Sequence, residues 1–333
     1  MVSKTFSMKK ILITGGAGFV GRYFTKYFLD QKYEVHVVDN IAQYTGAREP
    51  KNWPLFIPQD YKNFIFHKQD CRDWFISNLV DDFDYVLHLA AMVGGRMMIE
   101  KNPIAVSDDL SIDSHFWQWA VKSKPKKILT FSSSACYPVI FQKKENYKLL
   151  SEDLVSFDQP IGVPDLTYGW AKLTSEYLGK IAYENYGIKS IVYRPFSGYG
   201  KDQDLSYPFP SICKRILNNK NSKKIQVWGT GDQMRDFIHI EDCIKGVVST
   251  MDKINDGSPI NLSTGKLTSF KEFVKIGCNI LGFETEVVGT SDKPEGVFAR
   301  GGDTKLQHDL GFVTKINLKN GIEEALKFFE KNN

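Results

Sequence analysis

Residues 13–21 read ITGGAGFVG, following the apolar run KILI and opening a segment with helical spacing. The glycines fall at 15, 18 and 21, a Gly-x-x-Gly-x-x-Gly pattern at a strand-to-helix junction. That spacing has a physical logic. Gly15 permits a tight turn, Gly18 lets a pyrophosphate approach the backbone, and Gly21 lets the helix pack closely on the strand. Unpaired N–H groups at the helix start then face an anion, with Phe19 and Val20 of the first turn beside it.

Outward from this motif, the next strand, EVHVVDN, ends in Asp39, eighteen residues after Gly21, and is followed by Asn40. A carboxylate there accepts both hydroxyls of an adenosine ribose and repels a 2′-phosphate, so tightly bound NAD is expected. Arg48 is the nearby group that would suit NADP instead. FIFHKQD ends at Asp70 and Cys71, at the expected adenine edge, and LHLAA brings Leu89, Ala90 and Ala91 against the phosphates. With KILTFSSS and SIVYRPF, six short apolar strands alternate with helical or loop segments. This predicts the α/β class: a Rossmann-type, doubly wound parallel sheet buried on both faces.

Helices are expected over 19–31, 104–123 and 170–185. The last carries Leu173, Tyr177 and Ile181 at steps of four, with Leu178 and Ala182, a face broad enough to pack on a second copy of the chain as well as on its sheet. After Pro195 the pieces shorten, with proline and glycine clusters at YPFPS, WGTGD and SDKPEG. A smaller mixed α/β lobe is expected there. Residues 1–194 plus about 235–256 would form the NAD-binding domain, and 195–234 plus 257–333 the substrate lobe.

Composition narrows the partners. The chain has 333 residues, 42% hydrophobic and 25% charged, as in a globular protein with a substantial core. Forty-three basic against 39 acidic residues leave a net charge of +4, too balanced to predict nucleic-acid binding. Five scattered cysteines lack metal-ligand spacing and suit a reducing cytoplasm, so no metal is expected. The basic start MVSKTFSMKK and the glycine-broken run after it fit neither a signal peptide nor a membrane span. The first seven residues are expected to form a loose leader.

The chemistry lies in two other segments. TYGWAK places Tyr168 and Lys172 four residues apart, on one face of a helix. An ammonium and an oxidised nicotinamide would lower the phenol pKa, letting Tyr168 accept an alcohol proton as hydride leaves. FSSSACYP, residues 131–138, ends a strand and holds Ser132, Ser134 and Cys136. A cysteine there suits a nucleophile, a metal ligand or the polar end of a buried strand.

Taken together, TGGAGFVG, VVDN, HLAA, SSSA, YGWAK, RPFSGYG and WGTGDQMRDFIHIED resemble the extended short-chain dehydrogenase/reductase family over nearly the whole chain. The branch in question modifies nucleotide sugars. The resemblance implies that Ser134 hydrogen-bonds the reacting oxygen, Tyr168 is the base, and Lys172 binds the nicotinamide ribose and tunes Tyr168. Ser132 and Pro195 would also border the cofactor. Arg235 and Arg300 would clamp the substrate diphosphate. Ser197 stands where the family commonly has an asparagine on that phosphate.

AAMVGGRMM, with Gly94, Gly95 and Arg96, together with SSACYP, MRDF and PEGV, resembles the GDP-mannose 3,5-epimerase branch. There a cysteine at the position of Cys136 removes ring protons and a lysine returns them. That lysine has no evident counterpart: Pro208 is near the expected place, and Lys201 and Lys214 are off register. The family's 4,6-dehydratases place Asp-Glu where this chain has Ala135 and Cys136, which argues against dehydration. The expectation is therefore NAD-dependent C4 oxidation of a GDP-manno-type sugar, GDP-manno-heptose favoured, as in enzymes of bacterial capsule pathways. A 3,5- or 4-epimerase and a non-catalytic dinucleotide sensor are the alternatives. The family also implies a homodimer joined through a four-helix interface, while the cysteines, charge balance and lack of a long apolar run lead to the expectation of a cytoplasmic protein with no nucleic-acid or membrane partner.

Overall fold

The computed structural model describes residues 8–43, 45–79, 82–92, 95–220, 222–290 and 295–332. Strands and helices alternate as β1 (Lys10–Thr14), α1 (Phe19–Asp30), β2 (Glu34–Asp39), β3 (Phe64–Lys68), α2 (Cys71–Ser77) and β4 (Tyr85–His88). They continue as α3 (Arg96–Lys101), α4 (Pro103–Val106), α5 (Asp108–Ser123), β5 (Ile128–Phe131), α6 (Leu166–Tyr186) and β6 (Ser190–Pro195). A further strand, Asp256–Leu262, completes a seven-stranded sheet in the order β3, β2, β1, β4, β5, β6 and that strand. Every neighbouring pair is parallel. The order reverses between β1 and β4, which opens a crevice at the C-terminal strand ends, where such sheets bind ligands.

The apolar strands are explained by helices on both faces. Ile11 and Ile13 of β1 join a core with Phe24 and Phe28 of α1 and Val247 of the helix Ile240–Thr250. Leu12, between them, joins the opposite core with Trp74 and Phe75 of α2 and Phe116 and Trp119 of α5. Alternate residues of one strand thus feed two cores.

Three expectations change. The sheet has seven strands where six were expected, and residues 257–262, assigned to the second lobe, pair with β6. Pro259 lacks an N–H and the register shifts between Asp256 and Pro259, which weakens the strand signal in DGSPINL. The helix expected over 104–123 divides into α4 and α5 at Ser107, whose hydroxyl donates to the Ile104 carbonyl at 2.6 Å. Helix α6 starts at Leu166, so Tyr168 lies in its first turn, and it ends on Gly187 in the left-handed conformation.

In the second lobe, α7 (Pro208–Asn218) and the helices Phe270–Ile280 and Leu318–Lys331 enclose a core that includes Phe209, Ile212, Val227, Phe273 and Ile322. The short strands Met234–Arg235 and Ala299–Arg300 pair in parallel, bringing Arg235 and Arg300 into register. Among the described residues, no helix is long and apolar enough to cross a membrane.

Candidate active site

The crevice opens into a cavity of about 1260 Å³ between the sheet and the second lobe. Pockets for one small ligand span roughly 300–1,000 Å³, so this one has room for two. Its walls come from the loops after β1, β2, β4, β5 and β6, the start of α3, and the second-lobe segment leading into α7.

On one side the glycine turn is fitted to its surroundings. Gly15 has φ +70°, and a Cβ there would sit 2.7 Å from the Ala90 nitrogen; a Cβ on Gly21 would sit 2.5 Å from the Gly15 carbonyl oxygen. Asp39 accepts the N–H groups of Ala17 at 3.0 Å and Ile41 at 2.8 Å. Burial raises its pKa, while those N–H groups and Arg22 lower it. Asp70 accepts the Arg72 N–H at 2.9 Å at the start of α2, and the Arg72 guanidinium reaches Asp108 at 2.6 Å. Burial, aided by Asp70, pushes the Cys71 thiol up to about 12. Such a thiol is inert.

Every residue expected on the cofactor side lines the cavity except Lys172. Arg48 is exposed and also outside the lining, whereas Asp39 lines it. The residues present fit an adenine dinucleotide: a turn too tight for side chains, a helix start, and an acidic strand end.

The end of β5 corrects two expectations. Ser134 and Cys136 were expected in the site; neither lines the cavity, whereas Ser133 and Ala135 do. The chain leaves β5 at Phe131 and enters a 3-10 turn at Ser134–Cys136, so strand alternation no longer decides which residue faces the crevice. The Ser133 side chain lies beside the Tyr168 phenol and favours its ionised form. The Cys136 thiol is fully buried beside Glu176, Ser132 and Arg194. Burial raises its pKa first of all, and Glu176 adds to the rise. Below, Ser132 donates to Glu176, and Glu176 pairs with Arg194 at 2.6 Å, both carriers almost wholly buried.

Tyr168 and Lys172 share the inner face of α6, with the ammonium 5.7 Å from the centre of the phenol ring. Lys172 is buried behind Tyr168 and outside the cavity lining. Burial lowers its pKa, but Tyr168, Asp109 and Asp113 overcome that and keep it cationic. Burial raises the Tyr168 pKa, while Lys172 and Ser133 pull it back. Asp113 also meets His88 Nε2 at 3.0 Å, and His88 Nδ1 lies 2.7 Å from the Thr14 hydroxyl. A phenol so placed, with a serine hydroxyl on one side and a cation behind, can take a proton from an alcohol in the cavity.

Across the cavity, Asp165 gathers Arg96 and Arg300, each at 2.7 Å. It occupies the N-cap position of α6, but its carboxylate serves the arginines and makes no cap hydrogen bond. Burial raises the Asp165 pKa, and Arg300 and Arg96 more than reverse this. Among the described residues Arg235 has no such partner: burial, then Arg300 and Arg96, lower it to about 9. An anion beside these three guanidinium groups would relieve their repulsion. Gly95 and Ser197 also line the cavity. Gly94 lies outside the described residues.

Sequence reasoning missed Ser133, Asp109 and Asp165. An aspartate immediately before a helical LTYG was a readable N-cap signal for Asp165. Ser133 had no signal separating it from its two serine neighbours. Asp109 is defined only by the packing of α5 against α6.

The model of the NAD dependent epimerase/dehydratase family matches residues 11–263, and the chain belongs to that family. It is an enzyme of the extended short-chain dehydrogenase/reductase type, and its cofactor is NAD. It is 27% identical to a putative UDP-glucose 4-epimerase of Methanocaldococcus jannaschii, over 97% of this chain and 99% of that protein. It is 25% identical to GDP-L-colitose synthase of Yersinia pseudotuberculosis over 97% and 99%, respectively. With GDP-mannose 3,5-epimerase 1 of Oryza sativa subsp. indica the identity is 27%, over 94% of this chain and 79% of that one. A UDP-glucuronic acid 4-epimerase from Bacillus cereus, solved with NAD, superposes with a TM-score of 0.81 at 25% identity, covering 97% of this chain and all (100%) of that one.

Proposed function

We propose that this enzyme oxidises the C4 hydroxyl of a nucleotide-linked sugar to a ketone, with a GDP-manno-type sugar, GDP-manno-heptose foremost, as substrate. The observation that carries the reading is the meeting of Ser133 and Tyr168 on the cavity wall, with the Lys172 cation behind the phenol. Tyr168 takes the proton of the C4 hydroxyl, Ser133 holds the same oxygen, and Lys172 favours the phenolate that must act as base. Bound NAD supplies the hydride acceptor. Arg235 and Arg300, side by side in paired strands, support a diphosphate clamp, and Arg96 lies close to them.

The kinship to GDP-L-colitose synthase and GDP-mannose 3,5-epimerase supports a GDP-linked substrate. The thiol of Cys136 is buried away from the cavity and Ala135 lines it instead, which supports net oxidation over 3,5-epimerisation by removing the expected ring-proton base. A 4-epimerase is the second reading, favoured by the kinship to 4-epimerases and needing only the same three residues. Trp170 and Tyr177, 48% and 46% exposed on α6, support a homodimer through α5 and α6. A cytoplasmic location accords with buried, unpaired cysteines.

The test is incubation with GDP-mannose and GDP-manno-heptose in deuterated water, followed by NMR. A 4-keto sugar without deuterium at C3 or C5 is expected. Deuterium at either carbon would favour the 3,5-epimerase, and a C4-inverted sugar the 4-epimerase.

A further inference from the structure

Tyr207 is a cavity residue to which the reading above assigns nothing. It belongs to the second lobe, at the N-cap position of α7, immediately before Pro208 at the first helical position. Its backbone is held in place. The Tyr207 N–H donates to the Asp204 carbonyl at 3.1 Å, and its carbonyl accepts the Ser211 N–H at 3.2 Å. The loop is also braced from the other wall: a Cβ on Gly95 would lie 2.2 Å from the Ser206 carbonyl oxygen, so the turn before α3 presses on the residue next to Tyr207.

The side chain so held shares the cavity with Tyr168. The two phenols are close enough that Tyr168 helps raise the Tyr207 pKa, after burial and ahead of Asp204. Unlike Tyr168, Tyr207 has no cation drawing its pKa down, so its phenol keeps its proton and can donate a hydrogen bond. Among the described residues its hydroxyl has no hydrogen-bond partner, although the backbone on both sides of it is fixed. A hydroxyl carried on a braced backbone, in the lining of the same cavity as the reacting phenol and without a partner of its own, is placed to receive one from a ligand.

We propose that Tyr207 is a further substrate-contacting residue, whose hydroxyl donates a hydrogen bond to a sugar hydroxyl from the second-lobe wall and so determines which sugars are presented to Tyr168. The assignment rests on the C4 oxidation proposed above. It gives the second lobe a direct part in sugar selection, in addition to holding the diphosphate. A site built to pair a substrate hydroxyl discriminates strongly against sugars lacking it, because the donor is then left unpaired.

The test is Tyr207→Phe, compared with the wild-type NAD-loaded enzyme on GDP-manno-heptose and on analogues each lacking one sugar hydroxyl. The expected loss in kcat/KM on the full substrate is about 10- to 100-fold, the range of a lost buried hydrogen bond. NAD affinity and melting temperature are expected to stay unchanged, and wild-type and variant should converge on the one analogue that lacks the partner hydroxyl. Two results would overturn the assignment: kcat/KM within twofold of wild type on the full substrate, or an equal loss on every analogue, which marks a structural role. If the wild-type enzyme oxidised no C4 hydroxyl, the underlying reading would fall instead, an outcome visible before any variant is compared.

Discussion

Ser133 lines the cavity beside Tyr168 and lowers its pKa, while Ser134, the next residue, is buried and outside the cavity lining. The difference predicts opposite outcomes for two chemically identical substitutions. Ser133→Ala should reduce kcat by about 100-fold, as expected when a group holding the reacting oxygen is lost. Ser134→Ala should leave kcat within a few-fold of wild type. Steady-state kinetics on both variants, each with its melting temperature measured, decide the point.

The pH dependence follows from the same group. Tyr168 acts as a base, so the rate rises with pH as the phenol ionises; burial holds its pKa up, and Lys172 and Ser133 draw it down. Lys172→Met removes the larger of the two downward influences. Its pH–rate profile should move to higher pH, with turnover near neutrality reduced by about 100-fold. A profile that keeps its position would show that the ammonium does not tune the phenol.

Asp109 provides a stability test. Burial raises its pKa to about 6, against Lys172, which lowers it, and one of its carboxylate oxygens is buried without a partner. A carboxyl whose folded-state pKa is raised stabilises the fold fully below its unfolded pKa, and that contribution is lost as pH rises through about 6. Above this range the ionised group costs on the order of 2–3 kcal/mol. Asp109→Asn should therefore raise the melting temperature at pH 8 and leave it nearly unchanged at pH 4. A uniform shift at both pH values would contradict the assignment.

All five cysteines are free and buried. Their thiols should react slowly with iodoacetamide at pH 8 until the protein is denatured, and Cys136 should be no faster than Cys213 or Cys243. Peptide mass spectrometry after timed alkylation measures this. Rapid, selective modification of Cys136 would return it to the active site.

How much of this was legible in the sequence depended on how locally each feature is determined. The glycine turn, Asp39 and the apolar strands were readable because steric and charge requirements act within a few residues. The strand Asp256–Leu262 was not, since a glycine, a proline and a register shift interrupt its pattern. Ser133 and Ser134 could not be told apart because the chain turns between strand and 3-10 helix just there. Tyr207 was hidden within a proline cluster, and its importance comes from a wall that only the second lobe builds. The residues expected on the cofactor side, Lys172 apart, come from local motifs and meet in one cavity; the substrate half depends on long-range packing.

The central claim is that hydride leaves C4 of the sugar while Tyr168 takes the proton. The most direct measurement mixes the NAD-loaded enzyme with GDP-manno-heptose carrying deuterium at C4, then extracts the nicotinamide cofactor for mass spectrometry. The account predicts deuterium on the reduced nicotinamide with the wild-type enzyme, and none with Tyr168→Phe still loaded with NAD. Reduced cofactor lacking the label, or labelled equally by the Tyr168→Phe variant, would contradict it.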